Sequence, residues 1–518
     1  MSDIKKIKPA LSKGTRDFLP AEVAKRNYIF STIKSVFYKY GFEQIETPAI
    51  ERLETLTGKY GEEGDKLLFK ILNSGDYLDV MNEHYNKELN RKPNNDYFKG
   101  FTLKSGNTEY LLFPFEQSKP DYNDLTTTTI FPFKKDEVVK DTDKNYMIEF
   151  RSPEFSRLIA EKGLRYDLTV PLARYVVQNQ DNLAFPFKRF HVGPVWRADK
   201  PQKGRYQEFY QCDADIIGST SLYNEVELTQ IYFSVYKQLG INVQVRVNNR
   251  KILEALATYA GCAHQLTDIT VAIDKLDKIG IEGVTNELTK LGLTPEQVNK
   301  ITTLLQVKNA AELKQYFTDI DAGRKGLDEL NFVLGHVNQP NVVFDITLAR
   351  GLSYYTGTIW EVVLDQNIYQ GKVTMGSLGG GGRYDNLTEM FGGQNMSGVG
   401  ISFGIERVYD VMEELNLFPA TISQGVKVLF VPRDISVEEF TFQQVSTLRE
   451  KGIPAEIFLG NVKKQKQFDY VERKNIAYLV EVGDNEKNTG LFRLRNAQTR
   501  ETRNDLTISD IADLIMAG

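Results

Sequence analysis

In three places arginine recurs beside acids, tyrosines and glycines at expected strand ends. They are Trp196-Arg197-Ala198-Asp199 with Lys203-Gly204-Arg205-Tyr206, Arg350-Gly351-Leu352-Ser353-Tyr354-Tyr355, and Gly404-Ile405-Glu406-Arg407. A guanidinium presents paired N–H donors in the geometry of a carboxylate or phosphate, so the clusters taken together point to a site for a polyanion. Taken singly, each also fits a solvated surface. After the first cluster, Phe209, Gln211, Asp213 and Asp215 fall on one face of a strand by period two. A ring, an amide and two acids make a poor core and suit the floor of a pocket.

Other chemistries are excluded by spacing. No GxxxxGK[ST] occurs, so there is no P-loop. The glycines at 379–382 and at 398, 400 and 404 do not match the dinucleotide fingerprint. Cys212, Cys262 and four scattered histidines show no metal-finger spacing, and no dedicated metal site is expected. Two cysteines cannot staple 518 residues, which fits a reducing compartment.

The elements that must position these residues follow from periodicity. Apolar residues at helical spacing run from Ala21 to Tyr40 before Gly41, with a strand ending at Pro48. Lys66–Leu72 and Leu164–Thr169 read as strands about ninety residues apart, and the intervening stretch, with a helical-looking part near Arg151–Lys162, reads as an insertion. A helix starts near Asp167–Thr169, with Pro171 in its first turn. Phe187–Ile217 predicts two antiparallel strands around a polar loop at 199–205. Residues 251–331 are helical by period, and extended segments return at 342–346, 358–363 and 398–403. Hairpin-like connections favour an antiparallel sheet with helices on it, an α+β class. From residue 425 strands alternate with helices, predicting a compact α/β domain with 14 basic and 14 acidic residues and a basic cluster at Lys463, Lys464, Lys466, Arg473 and Lys474.

Composition sets the outer bounds. With 41% hydrophobic and 26% charged residues the chain is ordinary for a soluble protein of several domains. A net charge of −5 argues against indiscriminate coating of nucleic acid, which draws on many Lys and Arg, while leaving an enzyme, a specific RNA binder or a scaffold open. No apolar run reaches the roughly 18 residues of a membrane span, so the expected location is cytoplasmic.

At these motifs the chain resembles the histidyl-tRNA synthetases, which are class II aminoacyl-tRNA synthetases. KGTRDFLP (13–20), YGFEQIETPAIE (40–51), LRYDLTVPLARYV (164–176), VWRADKPQKGRYQEFYQCDADIIG (195–218) and GVGISFGIER (398–407) carry the likeness, and ARGLSYYTGTIWEV and GGGGRYDNL are similar to two histidine-specific signatures. Ser353 stands where the family commonly has an acid, and Asp199 where many members have glutamate. The resemblance implies a class II catalytic domain at 1–424, holding an insertion of unassigned role at 73–162 and a helical insertion at 246–335. It implies an anticodon-binding domain at 425–518 and a homodimer formed through Tyr40–Glu51. The implied activity is activation of L-histidine by ATP, accompanied by Mg2+, and transfer to the 3′ end of tRNA(His). By the same resemblance Arg197 and Arg350 are catalytic at the α-phosphate, and Arg197, Asp199, Arg205, Phe209 and Arg407 bind ATP. Asp167, Thr169 and Gln211 hold the amino group of histidine, while Asp215, Tyr354 and Tyr355 meet its imidazole. A regulator lacking catalysis, a kinase-fused regulatory domain, and a synthetase for threonine or proline are the rivals. The retained arginines, the absence of a kinase segment and the Arg350–Tyr355 signature argue against them in turn.

Overall fold

A computed structural model describes residues 8–75, 159–349, 354–386, 388–393, 396–419, 422, 425–460 and 464–517, with short strands between 98 and 151. The chain divides into two compact units, one of Met1–Arg16 with Thr32–Glu414 and one of Asp17–Ser31 with Leu415–Gly518.

The larger unit is built on eight strands: β1 (Glu43–Gln44), β2 (Phe187–Trp196), β3 (Glu208–Ile217), β4 (Val243–Asn249), β5 (Val342–Phe344), β6 (Thr358–Leu364), β7 (Gly379–Arg383) and β8 (Gly398–Gly404). Their order is β1-β2-β3-β8-β7-β6-β4-β5. The inner pairs are antiparallel, as expected from the hairpin-like pattern. The outermost pairs, β1 with β2 and β4 with β5, are parallel, so the sheet is mixed. Those two edge strands reach the sheet from distant chain segments rather than through a tight turn.

Alternation gives the sheet an apolar and a polar face. Cys212, Ala214 and Ile216 of β3 are buried on the apolar side. An aromatic cluster belongs to the same core: Phe403 of β8 lies 5.9 Å from Phe37, 5.1 Å from Tyr232 and 5.5 Å from Tyr236, the last two on the helix Tyr223–Leu239. Each such buried ring contributes roughly 1.5–3 kcal/mol. Gln211, Asp213 and Asp215 therefore face the other way.

Several expectations need correction. Lys66–Leu72 is helical up to Lys66 and extended only at Lys70–Ile71, and Leu164–Thr169 is a strand only through Leu164; these short pieces and Ile50–Arg52 form a three-stranded sheet. The strand pattern at 164–169 ends because Asp167 accepts the Val170 N–H at 3.0 Å and starts the helix Thr169–Asn179. Within the expected insertion, Phe98–Ser105, Thr108–Leu112, Phe131–Phe133 and Tyr146–Arg151 form a four-stranded sheet. Of the helical-looking segment at 151–162, residues 152–158 lie outside the described residues; Arg151 ends a strand, Ile159 is helical, and the strand Lys162–Leu164 follows. The stretch expected to be helical from 251 to 331 is helical from Arg250, directly after β4, and its last helix runs to His336.

The smaller unit has a five-stranded sheet ordered Ala455–Ile457, Val428–Pro432, Tyr478–Val482, Phe492–Asn496, Thr502–Leu506, packed with helices such as Glu438–Glu450 and Ile508–Ala517. Its core joins Val428, Phe430, Val480, Phe492 and Ile511. The last strand was not legible: its sequence, TRNDL, has polar residues in the middle and no apolar face.

Candidate active site

The arginine-bearing loop joins β2 to β3. Its tip is a tight turn in which Gln202 and Arg205 exchange backbone hydrogen bonds at 3.1 and 2.9 Å, with Gly204 at φ +70°. The Arg205 guanidinium lies 3.6 Å from the Asp199 carboxylate. Below the loop, the half-buried Arg197 stacks over Tyr166 at 4.3 Å and Phe209 at 5.1 Å from the ring centres, while its Nε donates to the Tyr166 carbonyl. Arg407, on the helix Ile405–Glu414, donates from Nε to the Gly204 carbonyl at 2.8 Å and from Nη1 to the Ser377 carbonyl at 2.6 Å. Holding a guanidinium by its edge fixes its plane and suits its face to stacking on an aromatic base.

A second group lies deeper, where β3, β7 and β8 meet. A small cavity is lined by Thr169, Asp213, Asp215, Tyr355, Tyr384 and Ser402, with Gly380, Gly381, Gly400 and Ile401. The glycines are required by close approach: a Cβ on Gly381 would stand 2.1 Å from the Gly400 carbonyl oxygen, and one on Gly382 would stand 2.5 Å from the Tyr355 ring. One wall of the cavity is thus bare main chain.

The acids are held differently. Asp167 is buried, accepting the Tyr60 hydroxyl at 3.1 Å and Val170 N–H through one oxygen and the Tyr354 hydroxyl at 3.3 Å through the other. Burial raises its pKa, and the Val170 amide and Arg197 oppose that. Asp215 pairs at 2.7 Å with Arg189, which is fully buried, and accepts the Tyr384 hydroxyl. Its pKa too is raised by burial and opposed by Arg189. Asp213, two residues along, is pushed up to about 7 by burial and by the neighbouring Asp215. It bonds Ser402, whose hydroxyl also accepts from Gln211 Nε2 at 2.9 Å. Across the β2–β3 pair His191 faces Asp213 and is held down to about 3 by burial and by Arg189 and Arg165.

The structure therefore places Arg197 with Phe209, and Asp199, Arg205 and Arg407 around one loop. It places Thr169, Asp215 and Tyr355 in one cavity, with Gln211 reaching it through Ser402. Tyr354 sits with Asp167, and the Asp215 side chain is directed to Arg189 and Tyr384. Arg350 and Ser353 lie outside the described residues, as does Lys463. Tyr60, Arg189 and Tyr384 were missed by sequence reasoning, because their partners lie 26 to 169 positions away. Asp213 was seen on the strand face but given no role. In GGGGRYDNL the arginine is structural: Arg383 grips Glu225 at 2.6 and 2.8 Å with both side chains buried.

Comparison with known proteins bears on the same residues. A family described as histidyl-tRNA synthetase matches residues 14–80 and 158–408, and one described as anticodon binding domain matches 427–517. A histidine–tRNA ligase of Christiangramia forsetii is 43% identical over 508 residues, covering 96% of this chain and 97% of that protein. One from Bacteroides fragilis is 44% identical, covering 95% and 96%. A crystal structure of histidyl-tRNA synthetase from Nostoc sp. PCC 7120 shares the fold with a TM-score of 0.69 at 24% identity, covering 99% of this chain and all of that one.

Proposed function

The chain belongs to the histidyl-tRNA synthetase family, and from that premise we propose how its two clusters divide the reaction. Its activity is that of a histidine–tRNA ligase, an aminoacyl-tRNA-forming enzyme. ATP sits under the Asp199–Arg205 loop, with Arg197 on the α-phosphate, Arg205 and Asp199 on the bent triphosphate, and adenine between Phe209 and Arg407. Arg350 bridges the histidine carboxylate and the α-phosphate. Histidine enters the cavity beside Thr169 and Tyr355, its imidazole toward Asp215 and its amino group toward Asp167, Thr169 and Gln211.

The attacking carboxylate is already a nucleophile, so no general base is required. Charge builds on phosphorus as pyrophosphate leaves, and fixed guanidinium groups stabilise it without reorganising. Among the described residues no three His, Cys, Asp or Glu side chains cluster as a metal site. Magnesium is taken to travel on the triphosphate, where it supplies charge neutralisation.

The observation that carries this reading is the acid-floored, glycine-walled cavity set beside the arginine loop. An apolar analogue would bring no hydrogen-bonding ring to these buried polar groups, and a site built to bond a polar substrate can discriminate by roughly 10⁴ or more. ATP–pyrophosphate exchange with each of the twenty amino acids tests it: only histidine should support exchange, and equal exchange with another amino acid would refute it.

Three further parts belong to the proposal. The protein is a homodimer through Tyr40–Glu51, as closed symmetry favours, which a monomeric mass in light scattering would disprove. Residues 425–518 bind the anticodon region of tRNA(His), with Lys463, Lys464 and Lys466 at phosphates; normal charging after deletion of that domain would disprove it. No helix among the described residues is long and apolar enough to cross a membrane, and the proposed location is the cytoplasm.

A further inference from the structure

The segment KGTRDFLP carries part of the family likeness, yet nothing above assigns it a task. Its first residues lie against the arginine loop. The Gly14 carbonyl accepts the Gln207 N–H at 2.8 Å, and Gln207 donates to the Asp199 carbonyl at 3.0 Å. Gly14 has φ +80°, and a Cβ there would come within 2.6 Å of Gln207 and 3.0 Å of Pro201, so the turn fits under both ends of the loop.

Arg16 makes the next contact. Its guanidinium lies 4.4 Å from the Tyr206 ring centre, donates to the Tyr206 hydroxyl at 3.0 Å and meets Asp410 at 3.5 Å. The Tyr206 hydroxyl in turn lies 3.5 Å from the other Asp410 oxygen. Tyr206 directly follows Arg205. Asp410 is one turn beyond Arg407 on the helix Ile405–Glu414, and that helix also holds the loop through the Arg407–Gly204 bond. Arg16 and Asp410 are 27% and 16% exposed, enough shielding for a shared charge to hold geometry.

We propose that Arg16 is a positioning residue for the ATP-binding loop: by clamping Tyr206 to Asp410 it sets where Arg205 stands relative to Arg407. Arg16 touches no reacting atom. A clamp on one substrate's loop should act on that substrate, because misplacing a phosphate ligand weakens ATP binding and leaves the histidine cavity as it is. The inference rests on the assignment of ATP to this loop.

The test is pyrophosphate exchange on the full-length enzyme with ATP and histidine varied separately, using Arg16→Ala, Arg16→Lys, Tyr206→Phe and, as a control on the loop, Arg205→Ala. Arg16→Ala should raise the KM for ATP by about tenfold or more, with the KM for histidine within about twofold. Arg16→Lys, keeping the charge beside Asp410, should recover part of that. Tyr206→Phe loses only a hydroxyl, so it should fold even if Arg16→Ala does not, and should raise the ATP KM less. If Arg205→Ala raises the ATP KM while Arg16→Ala and Tyr206→Phe leave it unchanged, or if histidine and ATP are affected equally, the positioning role is overturned. If Arg205→Ala itself leaves ATP kinetics unchanged, the ATP assignment of the loop fails, and this inference with it.

Discussion

Gly400 stands opposite Asp215 in the sheet, so close that a Cβ on Gly400 would come within 1.9 Å of the Asp215 Oδ1. The acid that pairs Arg189 reaches its place only because its cross-strand neighbour has no side chain. Gly400→Ala must therefore move Asp215 or the strand. The expected result is a rise of about tenfold or more in the KM for histidine, with a stability loss of roughly 1–3 kcal/mol from overpacking. Exchange kinetics beside a thermal melt check it, and an unaltered histidine KM would contradict the account.

Arg350 and Asp215 should fail in different ways. Arg350→Ala removes the donor proposed to meet charge developing on phosphorus, and should lower the rate of adenylate formation by about 10² to 10³, or roughly 3 to 4 kcal/mol. Asp215→Ala should weaken histidine use while ATP affinity stays near that of the wild type. Single-turnover exchange across both substrate concentrations separates them, and a well-folded Asp215→Ala enzyme with ordinary histidine kinetics would end the specificity assignment.

Asp213 and His191 face each other with opposed effects on stability. The folded state holds Asp213 protonated up to about pH 7, against a usual pKa near 4, so Asp213 makes stability fall as pH rises through that window. His191 stays neutral down to about pH 3, against a usual value near 6.5, so it makes stability fall as pH drops below 6.5. Between about pH 4 and 6.5 the two slopes cancel in large part. Asp213→Asn should expose the His191 slope, with the melting temperature climbing from pH 4 to 6.5, and His191→Gln should expose the opposite one. Each slope is at most about 1.4 kcal/mol per pH unit. Parallel melting curves for both variants and the wild type would show that neither group is shifted.

The buried Arg383–Glu225 pair ties β7 to the helix Tyr223–Leu239. Breaking one side leaves a charge in a dry place, so Glu225→Gln should cost roughly 3 kcal/mol. Denaturant unfolding measures it, and a loss below about 0.5 kcal/mol would mean that Asp385, 3.3 Å from Arg383, compensates in full.

Much of this was legible because it is local. Period-two alternation in 187–217 located β2, β3 and the face bearing Gln211, Asp213 and Asp215, and helical spacing over 21–40 located the helix Pro20–Lys39. What stayed hidden depends on distant partners. Nothing near Arg189 announces a buried ion pair with Asp215, and nothing near Tyr60 announces a bond to Asp167. Gly379–Arg383 has no β-branched or aromatic residue to mark it as a strand; close packing against β8 and Tyr355 makes it one.

The glycine wall of the cavity also limits how this enzyme can change. A partition made of main chain has no side chain to trim, so mutation there can only add bulk and make the chamber smaller. Any variant selected to accept a larger amino acid in the proposed histidine cavity has to gain its room from Thr169, Tyr355, Tyr384, Ile401, Ser402 or the two acids, and Tyr384 and Ser402 already bond those acids. Shrinking the substrate range is within reach of one codon, whereas enlarging it means rebuilding several contacts together.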